Sequence, residues 1–247
     1  MFLTGKIAIV TGAGSLDGIG HAAAQLFARH GAQVALVDRD ADAVTAAAAA
    51  IGEAALPLVA DVRSEAACAA AVAAVRERWG RVDVLLNNAG VVQARRTLEI
   101  SRADYDFVLD VNLRGTLQMS QQVLPLMSRG SAVVCIASVA AQRGGGLMGG
   151  PHYAASKGAI LALVKSMARE FGPAGVRVNA VNPGVIMTGM TAGGYDDALR
   201  EKVVATIPLG RFGTPGDVAS ACLFLASDLS AYITGAAIDV NGGLHIH

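Results

Sequence analysis

Residues 7–20 read Ile7-Ala8-Ile9-Val10-Thr11-Gly12-Ala13-Gly14-Ser15-Leu16-Asp17-Gly18-Ile19-Gly20: an apolar β-branched run, a glycine cluster, then a helical pattern that continues to His30. Glycines let the backbone turn tightly and approach an anion, and the free N–H groups at the start of the following helix meet its charge. A plain strand-to-helix turn needs glycine too, so the surroundings decide the meaning.

Further apolar runs at Val34–Val37, Leu56–Ala60, Val82–Leu86, Ala132–Ala137, Val176–Val181 and Ala237–Val240 alternate with helical segments. The helices are expected at Ile19–His30, Ala41–Ile51, Ser64–Trp79, Tyr105–Met127, His152–Phe171 and Pro215–Ala226. Strict alternation implies right-handed crossovers and a parallel sheet. The runs are apolar throughout, as strands covered by helices on both faces must be. The expected fold is therefore α/β, a doubly wound Rossmann-type sheet of seven parallel strands in a single domain spanning residues 1–247. A chain of 247 residues, 53% hydrophobic, is enough to build one such core.

Composition narrows the partners. Lys+Arg and Asp+Glu are both 20, with no basic run, so no nucleic-acid partner is expected. Cys68, Cys135 and Cys222 are odd in number and scattered, which suits buried thiols in a reducing compartment and neither a disulfide framework nor a metal site. MFLTGK leads straight into the first strand without the pattern of a secretory leader. The alanine-rich stretches are shorter than the roughly 18 apolar residues of a membrane span. A cytoplasmic protein with no membrane partner and no metal is expected.

Asp38 closes the second strand, 18 positions beyond Gly20. That is close to the interval of roughly 20 residues at which an acid meets the adenosine ribose hydroxyls of NAD. Its charge repels a 2′-phosphate; Arg39 beside it offers that phosphate a partner, so NAD is expected and NADP is disfavoured. Asp61-Val62 follows the third strand and Asn87-Asn88-Ala89-Gly90 the fourth, at the edge where the adenine and nicotinamide ribose would lie. The pyrophosphate is expected against Gly12, Ser15, Gly18, Ile19 and Gly20.

Ser138 ends the fifth strand, and fifteen positions later stands Tyr153-Ala154-Ala155-Ser156-Lys157. Residues four apart share a helix face, so an ammonium can sit beneath the phenol and lower its pKa toward neutrality. Tyr153 then exchanges a proton with a carbinol oxygen while hydride moves to or from the nicotinamide, and Ser138 hydrogen-bonds the same oxygen.

In this combination the chain resembles the short-chain dehydrogenase/reductase (SDR) family over nearly its whole length. The motifs occur in order: TGAGSLDGIG, Asp61, NNAG, Asn112 in VNLRG, Ser138, YAASK, and Asn182-Pro183-Gly184 with Thr188. The resemblance implies Tyr153 as general acid/base, Lys157 lowering its pKa and holding the nicotinamide ribose, Ser138 orienting substrate, and Asn112 supporting a proton-relay water. It implies cofactor contacts at Asp61, Val62, Asn88, Ala89, Gly90, Pro183, Gly184, Val185 and Thr188, the strand order 3-2-1-4-5-6-7, and a homotetramer. One departure stands out. Five residues separate Gly12 from Gly18 where the family has three, so Leu16-Asp17 reads as an insertion in the phosphate loop, with Asp17 expected to cap the next helix.

The loops at about 140–151 and 188–208 are expected to wall the substrate, with Gln93, Arg143, Met148 and Met190 as candidate contacts. His152 has no assigned role, and His245 and His247 are expected in a mobile tail. The favoured activity is NAD-dependent oxidation of a secondary alcohol, on a sugar, polyol or small hydroxy compound. The alternatives are an NADPH-using 3-oxoacyl-carrier-protein reductase and a non-catalytic NAD-binding sensor.

Overall fold

In the computed structural model, which describes residues 1–146 and 148–247 apart from the side chains of Met190 and Ala192, strand β1 (Ile7–Thr11) is buried at every position. It is flanked by β2 (Gln33–Asp38), β3 (Ala55–Val59), β4 (Val84–Asn87), β5 (Ala132–Ile136), β6 (Arg177–Pro183) and β7 (Ala237–Val240). The sheet has seven strands in the order 3-2-1-4-5-6-7 with every pair parallel, a single Rossmann-type domain as the sequence implied.

The helices are α1 (Ile19–Arg29), α2 (Ala41–Ile51), α3 (Glu65–Trp79), α4 (Arg102–Leu109), α5 (Gly115–Val123), α6 (Ala140–Arg143), α7 (Pro151–Phe171), α8 (Gly189–Ala192), α9 (Asp197–Val204) and α10 (Pro215–Ala226). Successive strand residues point to opposite faces, so β1 sends Ile7 and Ile9 to one core and Ala8 and Val10 to the other. The first core holds Cys68, Val72, Met119, Ile160 and Val164 from α3, α5 and α7. The second holds Ala23, Ala24, Phe27, Val44, Val218 and Cys222 from α1, α2 and α10. All three cysteines are free and buried in these layers.

The helix expected over Tyr105–Met127 is broken. Ser101 caps α4 at Arg102, its hydroxyl accepting from Asp104 N at 3.0 Å, three residues before the expected start. A single π turn, Asp110–Arg114, then separates α4 from α5, and a 3₁₀ turn over Leu124–Leu126 containing Pro125 ends the segment. Gly115 after the π turn lies so close to Val62 that a Cβ there would stand 2.6 Å from Val62 Cγ2. The bulge carries Asn112, which is fully buried.

Parallel strands place their carboxyl ends on one edge, and polar side chains tie the exits of β1 and β4 together. Thr11 Oγ1 accepts the backbone N–H groups of Asn88 and Ala89, each at 3.0 Å. Asn88 Nδ2 returns hydrogen bonds to the carbonyls of Thr11 and Gly12, both at 2.9 Å. Thr11→Val removes the acceptor from two enclosed N–H groups, so unfolding in urea should show a loss of about 2–4 kcal/mol, whereas Thr11→Ser should lose less than half as much.

Candidate active site

The carboxyl edge opens into a cavity of about 490 Å³ whose lining runs from Gly12 and Asp38 to Ser138, Tyr153 and Lys157. Of the positions assigned to the cofactor from sequence, Gly12, Ser15, Gly18, Ile19, Asp38, Arg39, Asp61, Val62, Asn88, Ala89, Gly90, Pro183, Gly184 and Thr188 line it. Gly20 packs behind it, against Asn88. Val185 is displaced to a separate depression of about 440 Å³ near β7, and Ile186 takes its place on the cavity wall.

Gly12 has φ +65° and lies against Ala89, whose Cα would be 2.7 Å from a Cβ at residue 12; such a Cβ would close the space between the exits of β1 and β4. Asp38 is aimed by Gly14 N, which donates to Oδ2 at 2.9 Å. Asp61 is held by Arg63 through a forked ion pair with contacts of 3.0 and 2.6 Å, which keeps the carboxyl below the usual carboxylate range. Sequence reasoning missed Arg63, although its place two residues after Asp61 suits this pairing. A slot of side-chain-free backbone with a carboxylate at one end and an amide-rich turn along its floor fits a dinucleotide.

Asp17 does not cap α1. Gly18 is the N-cap and no side chain bonds there. The carboxylate instead accepts the Ser15 hydroxyl at 2.6 Å and reaches across the slot to Gly189.

Ser138, Tyr153 and Lys157 line the other end of the cavity, and Lys157 Nζ donates to the Ile136 carbonyl at 2.8 Å. Lys157 is 4% exposed, so this is no solvated helix face. Its ammonium lies 6.0 Å from the Tyr153 ring centroid. In the free protein burial raises the Tyr153 pKa, offset in part by Ser138, and the expected lowering by Lys157 does not appear. The same desolvation lowers Lys157 to about 8.

Asn112 does not face the cavity. Its Oδ1 accepts Val91 N at 2.8 Å, and its Nδ2 donates to Val91 O and Ser156 Oγ, both at 3.0 Å. The backbone carbonyl of Asn112 is also taken, by Thr116 Oγ1 at 2.7 Å. In this arrangement Asn112 braces α7 one turn beyond Tyr153.

Of the proposed substrate contacts, Gln93, Arg143 and Met148 do not line this cavity. Gln93 Oε1 pairs with Nε2 of the buried His152 at 3.1 Å, giving His152 a partner that sequence did not reveal. Arg143 Nη1 donates to the Leu244 carbonyl at 2.9 Å, and Met148 lies against Gly194. The Met190 side chain is outside the described residues. The C-terminal segment is bonded where a mobile tail was expected: His247 Nε2 is 3.1 Å from Asp239 Oδ2, and Asn241 Nδ2 donates to the His245 carbonyl at 3.1 Å. A glycine escaped notice as well. Gly149 abuts the Tyr153 ring, with Cε1 at 3.1 Å from where a Cβ would stand.

A family model described as enoyl-(acyl carrier protein) reductase matches residues 12–245. An uncharacterized short-chain type dehydrogenase/reductase of Sinorhizobium fredii is 49% identical, with all of both chains covered. Among solved structures, a glucose/ribitol dehydrogenase of the family from Brucella melitensis superimposes with TM-score 0.94 at 35% identity, covering 100% of this chain and 99% of its own. A 3-ketoacyl-(acyl-carrier-protein) reductase of the same organism, complexed with NADH, gives 0.88 at 35% identity over 99% and 100% of the two chains.

The chain belongs to the short-chain dehydrogenase/reductase family, whose members are oxidoreductases that bind a nicotinamide cofactor. Among the described residues, no helix is long and apolar enough to cross a membrane.

Lys157 ties the site to folding. Its folded pKa of about 8 lies below the ordinary 10.5, so the unfolded chain binds that proton more tightly and stability rises as pH goes from about 8 to 10.5. Lys157→Met should be more stable than the wild type at pH 7, and chemical denaturation across pH 7 to 10.5 should show that the substitution removes most of the rise.

Proposed function

We propose that this protein is an NAD-dependent oxidoreductase that interconverts a secondary alcohol and a ketone, with a sugar, polyol or small hydroxy compound as substrate. The observation that carries the reading is one continuous cavity with the Asp38 carboxylate at one end and Ser138, Tyr153 and Lys157 at the other. A carboxylate fixed by Gly14 N suits two ribose hydroxyls and disfavours a 2′-phosphate. The resemblance to a glucose/ribitol dehydrogenase supports the substrate class.

When bound, the nicotinamide supplies the hydride acceptor or donor. The protein's part is proton handling and placement. Tyr153 gives or takes the carbinol proton, and Ser138, on the same cavity wall, holds the same oxygen as its charge develops. Lys157 stands beside Gly90, where the nicotinamide ribose would lie, and its charge favours the phenolate once the site is filled. Pro183, Gly184 and Thr188 from the exit of β6 close the far wall.

A cytoplasmic homotetramer belongs to the same reading. Three buried free thiols suit a reducing compartment, and exposed Tyr105 and Leu117 on the α4–α5 face suit subunit contact. A second reading, a 3-oxoacyl-carrier-protein reductase, is favoured by the 3-ketoacyl reductase relative. That relative was crystallised with NADH, so cofactor preference alone does not separate the two; the substrate does.

Initial rates at the reduced-nicotinamide absorbance band, with sugars, polyols, hydroxy acids and 3-oxoacyl compounds against both cofactors, should show NAD-dependent oxidation of a polyol or sugar. Turnover confined to 3-oxoacyl compounds would establish the second reading. Tyr153→Phe should lose at least 100-fold in kcat and still bind NADH; a protein whose function survived that change would be a sensor and no enzyme. Asp38→Ala should raise kcat/KM for NADP relative to NAD by at least tenfold, since removing a carboxylate beside a phosphate relieves roughly 1.4 kcal/mol or more.

A further inference from the structure

The two-residue insertion in the phosphate loop has a geometry that helix capping does not explain. Ser15, Gly18 and Ile19 form one wall of the cofactor slot, and Thr188 and Thr191 belong to the opposite wall. Asp17, two residues after Ser15, is exposed beside the first wall and does not itself line the cavity. Its Oδ1 accepts the Ser15 hydroxyl at 2.6 Å, a short charge-assisted bond. Its Oδ2 would be 2.9 Å from a Cβ at Gly189, so the carboxylate rests against that glycine across the slot. One carboxylate oxygen therefore holds a hydroxyl of the cavity wall that an anionic oxygen of a pyrophosphate lying there would also seek.

We infer that Asp17 is a built-in competitor for the cofactor's pyrophosphate, an internal carboxylate that takes the Ser15 hydroxyl in the free protein and must be displaced when the dinucleotide binds. The inference rests on the cofactor reading given above. The reason is elementary electrostatics. A carboxylate next to a pyrophosphate with two negative charges is repelled by both, and the Ser15 hydroxyl, with one proton to donate, cannot serve the two anions at once. No cation is paired with Asp17 among the described residues to neutralise it. Arg39 and Arg63 are on the adenine side of the cavity, and Arg63 is committed to Asp61. The consequence is a cofactor held less tightly, and released faster, than a loop of the family's usual length would allow. In enzymes where release of the reduced cofactor limits turnover, that speeds the cycle.

The test is the affinity and dissociation rate of NADH, followed by its fluorescence with the full chain, for wild type, Asp17→Asn and a variant lacking Leu16 and Asp17. Asp17→Asn keeps the shape and removes the charge at an exposed position, so folding, checked by circular dichroism, is not at stake. NADH should bind roughly five- to tenfold more tightly to Asp17→Asn, mainly through slower dissociation, and the gain should shrink at least twofold in 0.5 M salt as screening weakens the repulsion. Adenosine, which has no phosphate, should bind both proteins alike. The shortened loop should match or exceed Asp17→Asn in NADH affinity. Unchanged or weaker NADH binding to Asp17→Asn would overturn the inference and make Asp17 a strut between the two walls. A wild-type protein that bound NADPH and ignored NADH would refute the cofactor reading on its own, and the same Asp17→Asn comparison made with NADPH would then decide the inference separately.

Discussion

Every strand of this sheet runs the same way, so all seven carboxyl ends fall on one edge, and the backbone groups exposed there must find partners without water. The molecule meets that demand with polar side chains. Asn88 and Thr11 stitch β4 to β1, Lys157 takes the carbonyl of Ile136 at the end of β5, and Val139 N takes the carbonyl of Pro183 at the end of β6. The groups that close the sheet are thus the groups that shape the cavity. Fold stability and site geometry are one constraint seen from two sides.

Lys157 shows what that economy costs. A fully enclosed ammonium with a single carbonyl partner is poorly solvated, and its pKa falls to about 8. Tyr153, part-buried beside it, is pushed the other way by desolvation. Cation and phenol are placed for mutual stabilisation, yet in the free protein each is dominated by its own desolvation.

Much of this was legible in the sequence because it follows from periodicity and spacing. Uniformly apolar runs alternating with helical segments yielded the parallel sheet, the family resemblance implied its strand order, and Asp38, Ser138, Tyr153 and Lys157 meet in one cavity. What escaped depends on contacts between distant segments. The π turn at Asp110–Arg114 leaves no mark in a pattern of apolar positions, because Thr116 and Gly115 complete it through an Asn112 carbonyl and a close approach to Val62. The pairing of His152 with Gln93 joins residues 59 positions apart. The insertion at Leu16-Asp17 was visible, but its direction was not: helix capping is a local habit of aspartate, and here Ser15 and the distant Gly189 prevailed.

The same distant contacts explain how a helix can hold one phenol in a fixed position. Residues 91–93, following NNAG, are fastened to α7 on both sides of Tyr153: Gln93 to His152 just before it, and Val91 through Asn112 to Ser156 one turn after. Gly150 N adds a backbone bond to the Gln93 carbonyl at 2.8 Å, and Gly149 lies against the ring itself. A helix held at one point can still rotate or slide; held on both sides of the reacting residue, it can do neither without breaking buried hydrogen bonds. Each of those bonds is modest alone, about 1 kcal/mol net, but breaking one strands a buried polar group at a cost of about 1–3 kcal/mol. The phenol is thus placed by the strand exit beside it, which also forms part of the cavity wall.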